Sequence, residues 1–238
     1  MDHKQRVRER VWAAIDGATA ARRAPGAHGR IPNYAGAEDA ARRLWELPEW
    51  QRAKVLKMNP DSPQLALRAR AIADAKLVYM AVPKLTSEAP FLALEQRRLE
   101  VSAGEAASIE GATRYGVPTS LADMVAIDFI VCGSVAVNEL GARIGKGGGY
   151  ADLEYALLAE LGLVTDRTLI ATTVHDLQLT SEGLPESPHD FRVDIIVTPT
   201  RVLRCPRAAR PQGIAWQDLA PEKIASIPVL QERFARQR

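Results

Sequence analysis

The chain has 238 residues, a length that fills one large domain or two small ones and allows a full apolar core. Apolar residues make up 47% and charged residues 25%, which is ordinary globular usage, and a net charge of +2 with a pI of about 8.6 is too mild for a dedicated nucleic-acid binder. No apolar run reaches the roughly 18 residues of a membrane span and the polar N-terminus does not read as a secretory signal, so a cytoplasmic protein with no membrane or nucleic-acid partner is expected.

In chain order, residues 3–20 read as a helix with an apolar stripe of Val7, Val11, Ala14, Ile15 and Ala18. Pro25, Gly26, Gly29 and Pro32 mark residues 24–35 as a loop. A short helix is expected over 37–47, a strand over 53–58 stopped by Asn59-Pro60, a helix over 64–75, and a strand over 77–82 stopped by Pro83. Residues 103–115 read as one helix. The strongest strand pattern covers 127–137, and a glycine-rich loop then leads into a helix from about 150 to 161. Further strands are expected at 168–174 and 193–198. Cys132 and Cys205 lie in such apolar runs and are expected as free buried thiols. Short apolar strands alternating with helices imply an α/β fold: a three-layer α/β/α domain with a mainly parallel central sheet. Residues 1–205 form this domain. The Pro- and Arg-rich segment 206–238, with one helix near 222–238, is an extension that packs on the domain or on a partner.

The segment with the clearest chemistry is Gly141-Ala-Arg-Ile-Gly-Lys-Gly-Gly-Gly-Tyr150, between a strand and a helix. Gly145, Gly147, Gly148 and Gly149 let successive backbone N–H groups converge on an anion, and the helix that starts at Tyr150 adds the positive end of its dipole. Arg143 and Lys146 add full charges. Concentrating glycines in this way carries a conformational entropy cost that a mere flexible turn would not require. Two common phosphate motifs are excluded. Three residues, not four, separate Gly141 from Gly145 and Gly147 follows Lys146 where a P-loop has Ser or Thr, while Tyr150 stands where the dinucleotide fingerprint needs glycine. Asp152 is either a Mg²⁺ ligand beside phosphate oxygens or a helix-dipole carboxylate.

Gly141 to Asp152 resembles the signature G-x-R-L-G-x-G-x-G-Y-Y-D of the 5-formyltetrahydrofolate cyclo-ligases, also called methenyltetrahydrofolate synthetases. Lys4-x-x-Val7-Arg8 resembles that family's N-terminal K-x-x-L-R, residues 77–83 its strand ending in Val-Pro, and residues 188–198 its late H-D-x-x-V-D-x-(I/V)-(I/V)-T. Gly133-Ser-Val-Ala-Val, Ala151-Asp-Leu-Glu-Tyr155 and Thr198-Pro-Thr-Arg-Val202 are closer to the divergent methenyltetrahydrofolate synthetase domain-containing branch. The resemblance implies an ATP- and Mg²⁺-dependent ring closure: the formyl oxygen of 5-formyltetrahydrofolate attacks the γ-phosphate, N10 closes on the activated carbon, and phosphate leaves. It implies that Arg143 and Lys146 serve catalysis, that Lys4, Arg8, Arg143, Gly145, Lys146, Gly147, Gly148, Gly149 and Tyr150 hold the nucleotide, and that Asp152 and Asp190 sit near the metal. Lys4 and Arg8, four apart on the first helix, reach one side and are either nucleotide ligands or solvated charges. His189 is a candidate general base or a structural residue, His175-Asp176 a candidate site-facing pair, and the four tryptophans packing residues.

Two departures fall on the substrate side. Ala151 replaces the family's second tyrosine, and Leu153 its arginine. The family's folate-contacting glutamate has no counterpart in Asp61-Ser-Pro-Gln64, where Asp61 would substitute only if the loop shifts. The small-molecule substrate is therefore folate or another heterocycle, with a thiamine-related compound as one option. A non-catalytic nucleotide-binding module is the third reading.

Overall fold

In the computed structural model, residues 2–18, 20 and 26–236 are described; residues 24 and 25 of the expected loop and 237–238 of the expected terminal helix lie outside them. The first half of the chain forms α1 (His3–Gly17), α2 (Ala37–Trp45), α3 (Pro48–Arg52), β1 (Val55–Met58), α4 (Leu65–Ala73), β2 (Leu77–Ala81), β3 (Phe91–Leu94), α5 (Ala103–Ala106), α6 (Ile109–Tyr115) and β4 (Val117–Thr119). The second half forms β5 (Phe129–Cys132), β6 (Ala136–Asn138), β7 (Arg143–Ile144), α7 (Tyr150–Glu160), β8 (Leu169–Thr173), β9 (Leu179–Thr180), β10 (Ile195–Val197), β11 (Val202–Arg204), α8 (Pro221–Ser226) and α9 (Pro228–Ala235). No helix among the described residues is long and apolar enough to cross a membrane.

The main sheet has eight strands in the order β11-β10-β8-β5-β1-β2-β3-β4. Its centre, β10-β8-β5-β1-β2, is parallel, and β11, β3 and β4 close the edges with antiparallel pairs. Strand side chains alternate between faces, and that alternation makes the three layers. Leu56, Met58, Val78, Met80, Phe129, Val131, Ile195 and Val197 point to one face and bury against α2, α4 and the α5–α6 pair. Tyr79, Ala81, Ile130, Cys132, Ile170 and Ile196 point to the other, under α7 and the C-terminal helices, where Ile227, Val229 and Leu230 join the core. The α/β/α architecture with a mainly parallel sheet is the one expected from the sequence.

Four expectations are corrected in detail. The run 127–137 is two strands, because the chain leaves the main sheet at Gly133-Ser134: Ser134 Oγ lies 2.9 Å from Thr172 Oγ1, and Gln178 Nε2 donates to the Ser134 and Val135 carbonyls. Beyond this point the chain pairs as β6 in a separate sheet, β7-β6-β9. The helix at 103–115 is two, since the Ser108 hydroxyl accepts from Gly111 N–H and starts a new helix, as a side-chain N-cap does. Likewise the tail carries α8 and α9, broken at Ile227 ahead of Pro228, because the residue before proline is driven out of the helical region. On α1 the buried stripe is Val7, Val11, Trp12 and Ile15, while Ala14 and Ala18 are exposed; it packs on Val135, Ala136, Ala142 and Ile144 of the small sheet.

Candidate active site

Successive parallel strands run from β1 to β2 in one direction and from β5 to β8 and β10 in the other, so the strand order reverses between β1 and β5. Beyond the carboxyl ends of strands at such a reversal, neighbouring loops part and leave a crevice. Here it is a cavity of about 530 Å³, within the range of small-molecule sites. Its walls are residues 59–62 after β1, 81–84 after β2, Gly133 after β5, the glycine loop, and the first turns of α7.

The glycine loop forms one side. Gly147 (φ +110°) and Gly149 (φ +66°) adopt left-handed backbone that other residues rarely tolerate, and this turns the chain into α7. Within the described residues, the N–H groups of Gly145, Lys146, Gly147, Gly148 and Gly149 have no hydrogen-bond partner. Gly145 is half-buried and residues 146–149 are exposed, so these N–H groups are open to solvent or to an anion placed at the start of α7.

Arg143 lies at the base of the loop with its side chain 2% exposed, Nη2 2.5 Å from Asp152 Oδ1, and its guanidinium 4.0 Å from the centre of the Phe191 ring. Burial works against its charge, but Asp152, Cys132 and Asp190 together hold its pKa above the ordinary value. Its Nε is buried without a partner. Lys146 is half exposed, and its Nζ is 3.4 Å from Asp61 Oδ1 across the cavity mouth. Asp61 thus lines the cavity as built, with no loop shift. The buried Arg68 fixes that loop by donating to the carbonyls of Asn59, Pro60 and Asp61 and to that of Ala107 on the next helix. Burial pulls its pKa down to about 10.

Lys4 and Arg8 do not line the cavity. Lys4 Nζ donates to Asp190 Oδ2 at 2.5 Å and to Ser187 Oγ at 3.1 Å, and Arg8 Nε donates to the Gly145 carbonyl at 2.7 Å, behind the loop. Burial lowers the Arg8 pKa, with Asp2 and Asp190 opposing. Gly145, Gly148, Gly149, Tyr150 and Asp152 line the cavity; Gly147 and Asp190 do not. Asp152 has Oδ2 free while Oδ1 takes Arg143. Among the described residues no group of three or more His, Cys, Asp or Glu is placed to hold a metal. His175 caps a short turn through Nδ1 and packs edge-on to Tyr34 at 5.8 Å, and His189 is exposed, 4.0 Å from Asp218; neither lines the cavity. Trp12 and Trp50 are buried packing residues, and both cysteines are free, Cys132 buried and Cys205 half-buried.

Several residues go beyond the sequence reading. Lys223 of α8 donates to the Gly148 carbonyl at 2.7 Å and sits 4.7 Å from the Tyr150 ring centre, so the tail touches the glycine loop. Burial lowers its pKa, with Asp152 opposing. Lys57, Asn59 and Glu154 form a buried polar group under the cavity. At the rim, Lys84 (φ +58°) and Leu85 (φ +54°) hold left-handed backbone after Pro83, a conformation costly for non-glycine residues. Only the lysine inside the apolar run of β1 was a visible signal for any of these.

The fold and the cavity define an α/β protein with a glycine-rich loop at the switch point of a parallel sheet. The sequence profile of the 5-formyltetrahydrofolate cyclo-ligase family matches residues 1–199, and the chain belongs to that family. It is 38% identical over 240 residues to the mouse methenyltetrahydrofolate synthase domain-containing protein, covering 99% of this chain and 64% of that protein. Against the human protein of the same name it is 36% identical over 240 residues, covering 99% of this chain and 62% of that one. The chain therefore spans less than two thirds of the length of these relatives. Its fold is similar to the NMR structure of Aquifex aeolicus 5,10-methenyltetrahydrofolate synthetase, with TM-score 0.55 and 20% identity over 87% of this chain and 95% of that one.

Proposed function

We propose that this chain binds ATP with Mg²⁺ and acts as a ring-closing ligase on a small heterocycle, with 5-formyltetrahydrofolate cyclised slowly or not at all. The observation that carries the reading is the set of unpaired backbone N–H groups on residues 145–149, with Arg143 below them and Lys146 beside them at the mouth of the cavity. Converging N–H donors, a helix N-terminus and two cations suit a polyphosphate. Arg143, with an unpaired buried Nε, holds charge at a fixed point; Lys146, half exposed, is free to turn from Asp61 to a phosphate oxygen. Arg8 supports the loop at the Gly145 carbonyl, while Lys4 holds Asp190 and Ser187 outside the cavity. Nucleotide with metal would supply the phosphoryl group that turns a poor leaving oxygen into a good one. Asp152, whose free Oδ2 belongs to a cavity-lining residue, is the carboxylate best placed for the metal, since Mg²⁺ commonly takes one or two carboxylates plus phosphate oxygens. Asp190, held by Lys4 outside the cavity, acts through the loop's supporting charges. A cytoplasmic setting fits the two unpaired thiols.

A folate substrate is supported by the family and by the relatives' names. The departure at Ala151, which lines the cavity, favours another heterocycle, since contacts that orient a reacting centre are commonly worth about 10²-fold in turnover; Gln64 is buried against Thr173 outside the cavity, so Asp61 is the carboxylate that this segment offers to a substrate. The test is the near-ultraviolet absorbance of methenyltetrahydrofolate with purified protein, Mg²⁺-ATP and 5-formyltetrahydrofolate. The expected rate is far below about 1 s⁻¹, the low end of ordinary enzymes; turnover at or above that value restores the folate assignment. Absence of nucleotide binding in calorimetry removes the ATP reading altogether.

A further inference from the structure

The tail is tied to α7 at both ends. At the C-terminal end, Arg233 of α9 pairs with Glu160, which also accepts from the Ile214 N–H at 3.1 Å. At the N-terminal end, the half-buried Lys223 of α8 donates to the Gly148 carbonyl at 2.7 Å and lies 4.7 Å from the Tyr150 ring centre. It sits so close to the loop that a Cβ on Gly149 would stand 3.3 Å from its Nζ. Between these two ties, Ile227, Val229 and Leu230 are buried in the core. Across a planar trans peptide, a carbonyl and the next N–H point in opposite directions. Holding the Gly148 carbonyl therefore fixes the direction of the Gly149 N–H, and Arg8, on the Gly145 carbonyl, does the same for the Lys146 N–H. Gly145, Lys146, Gly148 and Gly149 line the cavity, whereas Arg8 and Lys223 do not. The loop is thus gripped at two carbonyls, one from each end of the chain, and the second grip comes from beyond the segment 1–199 that the family profile matches.

We infer that Lys223 is a positioning residue for the anion site: through the Gly148 carbonyl it aims the Gly149 N–H into the cavity, so that docking of the tail and binding of the anion strengthen one another. The inference rests on the nucleotide reading above and adds the residue outside the loop that orients it. Glycines do not hold an N–H in place by themselves, because their backbone is freer than that of any other residue. With the carbonyl held, the donor is set before the anion arrives, and binding has less ordering left to do. Linkage makes the effect reciprocal: if the docked tail favours the anion, the anion favours the docked tail by the same factor.

The test is calorimetry with Mg²⁺-ADP on the full chain, beside backbone NMR. Lys223→Ala should bind about fivefold or more weakly than the wild type, the low end of ordinary coupling between sites. Lys223→Arg, which keeps a donor for the carbonyl, should recover most of the loss. On nucleotide binding the Gly149 amide proton should shift in the wild type and lose that response in Lys223→Ala, while the Lys146 amide, gripped by Arg8, still responds. A cation that only met the phosphate would leave the Gly149 response in place. The indole N–H of Trp216, whose ring packs 5.7 Å from that of Phe234, reports whether the tail stays docked. Where Lys223→Ala releases the tail, the wild type decides: Mg²⁺-ADP should slow hydrogen exchange in α8. Equal affinity in Lys223→Ala, a Gly149 response that persists in it, no recovery in Lys223→Arg, or exchange in α8 unchanged by nucleotide overturns the inference. A wild type that binds no Mg²⁺-ADP overturns the nucleotide reading and this inference with it, a result distinct from the other four.

Discussion

Replacing Lys146 by alanine separates the anion-binding role of the loop from its structural role. In the free protein Lys146 touches Asp61 at 3.4 Å with its side chain 52% exposed, and exposed pairs of this kind are worth about 0–1 kcal/mol. For a chain of this size that corresponds to a melting-temperature change of at most about 4 °C. A lysine bound to a phosphate oxygen makes a charge-assisted hydrogen bond worth about 1.5–3 kcal/mol, so Mg²⁺-ATP should bind about 10- to 150-fold more weakly to Lys146→Ala. The difference between the two proteins should shrink as salt rises, because the contact lies at the screened mouth of the cavity. Titration calorimetry at low and high salt, beside thermal unfolding, measures all three quantities. Affinity within about threefold of the wild type would refute the phosphate role. A melting temperature lower by about 10 °C or more would show that the lysine acts on the fold instead.

Arg68→Met removes the guanidinium that donates to four backbone carbonyls, of which that of Asp61 keeps the Gln64 N–H, and should cost about 3–5 kcal/mol in chemical denaturation; Arg68→Lys should recover little of it, because a single ammonium cannot reproduce the planar fork. Lys223→Ala removes the contact of the tail with the Gly148 carbonyl and the Tyr150 ring, and should raise hydrogen exchange in the first bonded turn of α7, from Leu153 on, while the core strands stay protected. Leu230→Ala, in the second core cluster, should destabilise by about 2–5 kcal/mol, measured by urea unfolding; a near-zero effect would show that α9 does not belong to the cooperative unit. Cys132 is buried, and burial with Asp194 and Glu139 raises the Cys205 pKa to about 11, so iodoacetamide at neutral pH should label the folded chain at least about tenfold more slowly than the urea-unfolded chain, followed by mass spectrometry.

The parallel core was legible because β1, β2, β5, β8 and β10 are each a short apolar run bounded by turn residues, and a strand buried on both faces has no other pattern to show. The antiparallel strands β3 and β4 at one end of the sheet and β11 at the other were not visible. Pro118 argues against a strand unless the strand lies at an edge, and which strands lie at the edge is a property of the assembled sheet. The division of 127–137 between two sheets escaped for a related reason. Its apolar character is continuous, and only the partners of Ser134 on β8 and on the turn before β9 show where it leaves the first sheet.

The same distinction divides the site. The side proposed for phosphate is local in sequence: residues 141–152 carry the glycines, both cations and the carboxylate, so the proposal can be framed from one stretch before any fold is known. Its floor is not. Lys57 and Glu154 are 97 residues apart, and each alone looks like a misplaced charge in an apolar element. They become a group only because β1 lies at the centre of the sheet and α7 crosses its open face. α7 carries both halves, with Asp152 bound to Arg143 in its first turn and Glu154 bound to Lys57 two residues further on, on the other side of the helix. Two charged pairs therefore fix one helix against the small and the main sheet, and the position of the loop is coupled to that of the cavity floor. A change at Glu154 should for that reason be judged by nucleotide affinity and thermal unfolding together. Weaker nucleotide binding at an unchanged melting temperature marks a shifted loop, whereas loss of both marks a disrupted floor.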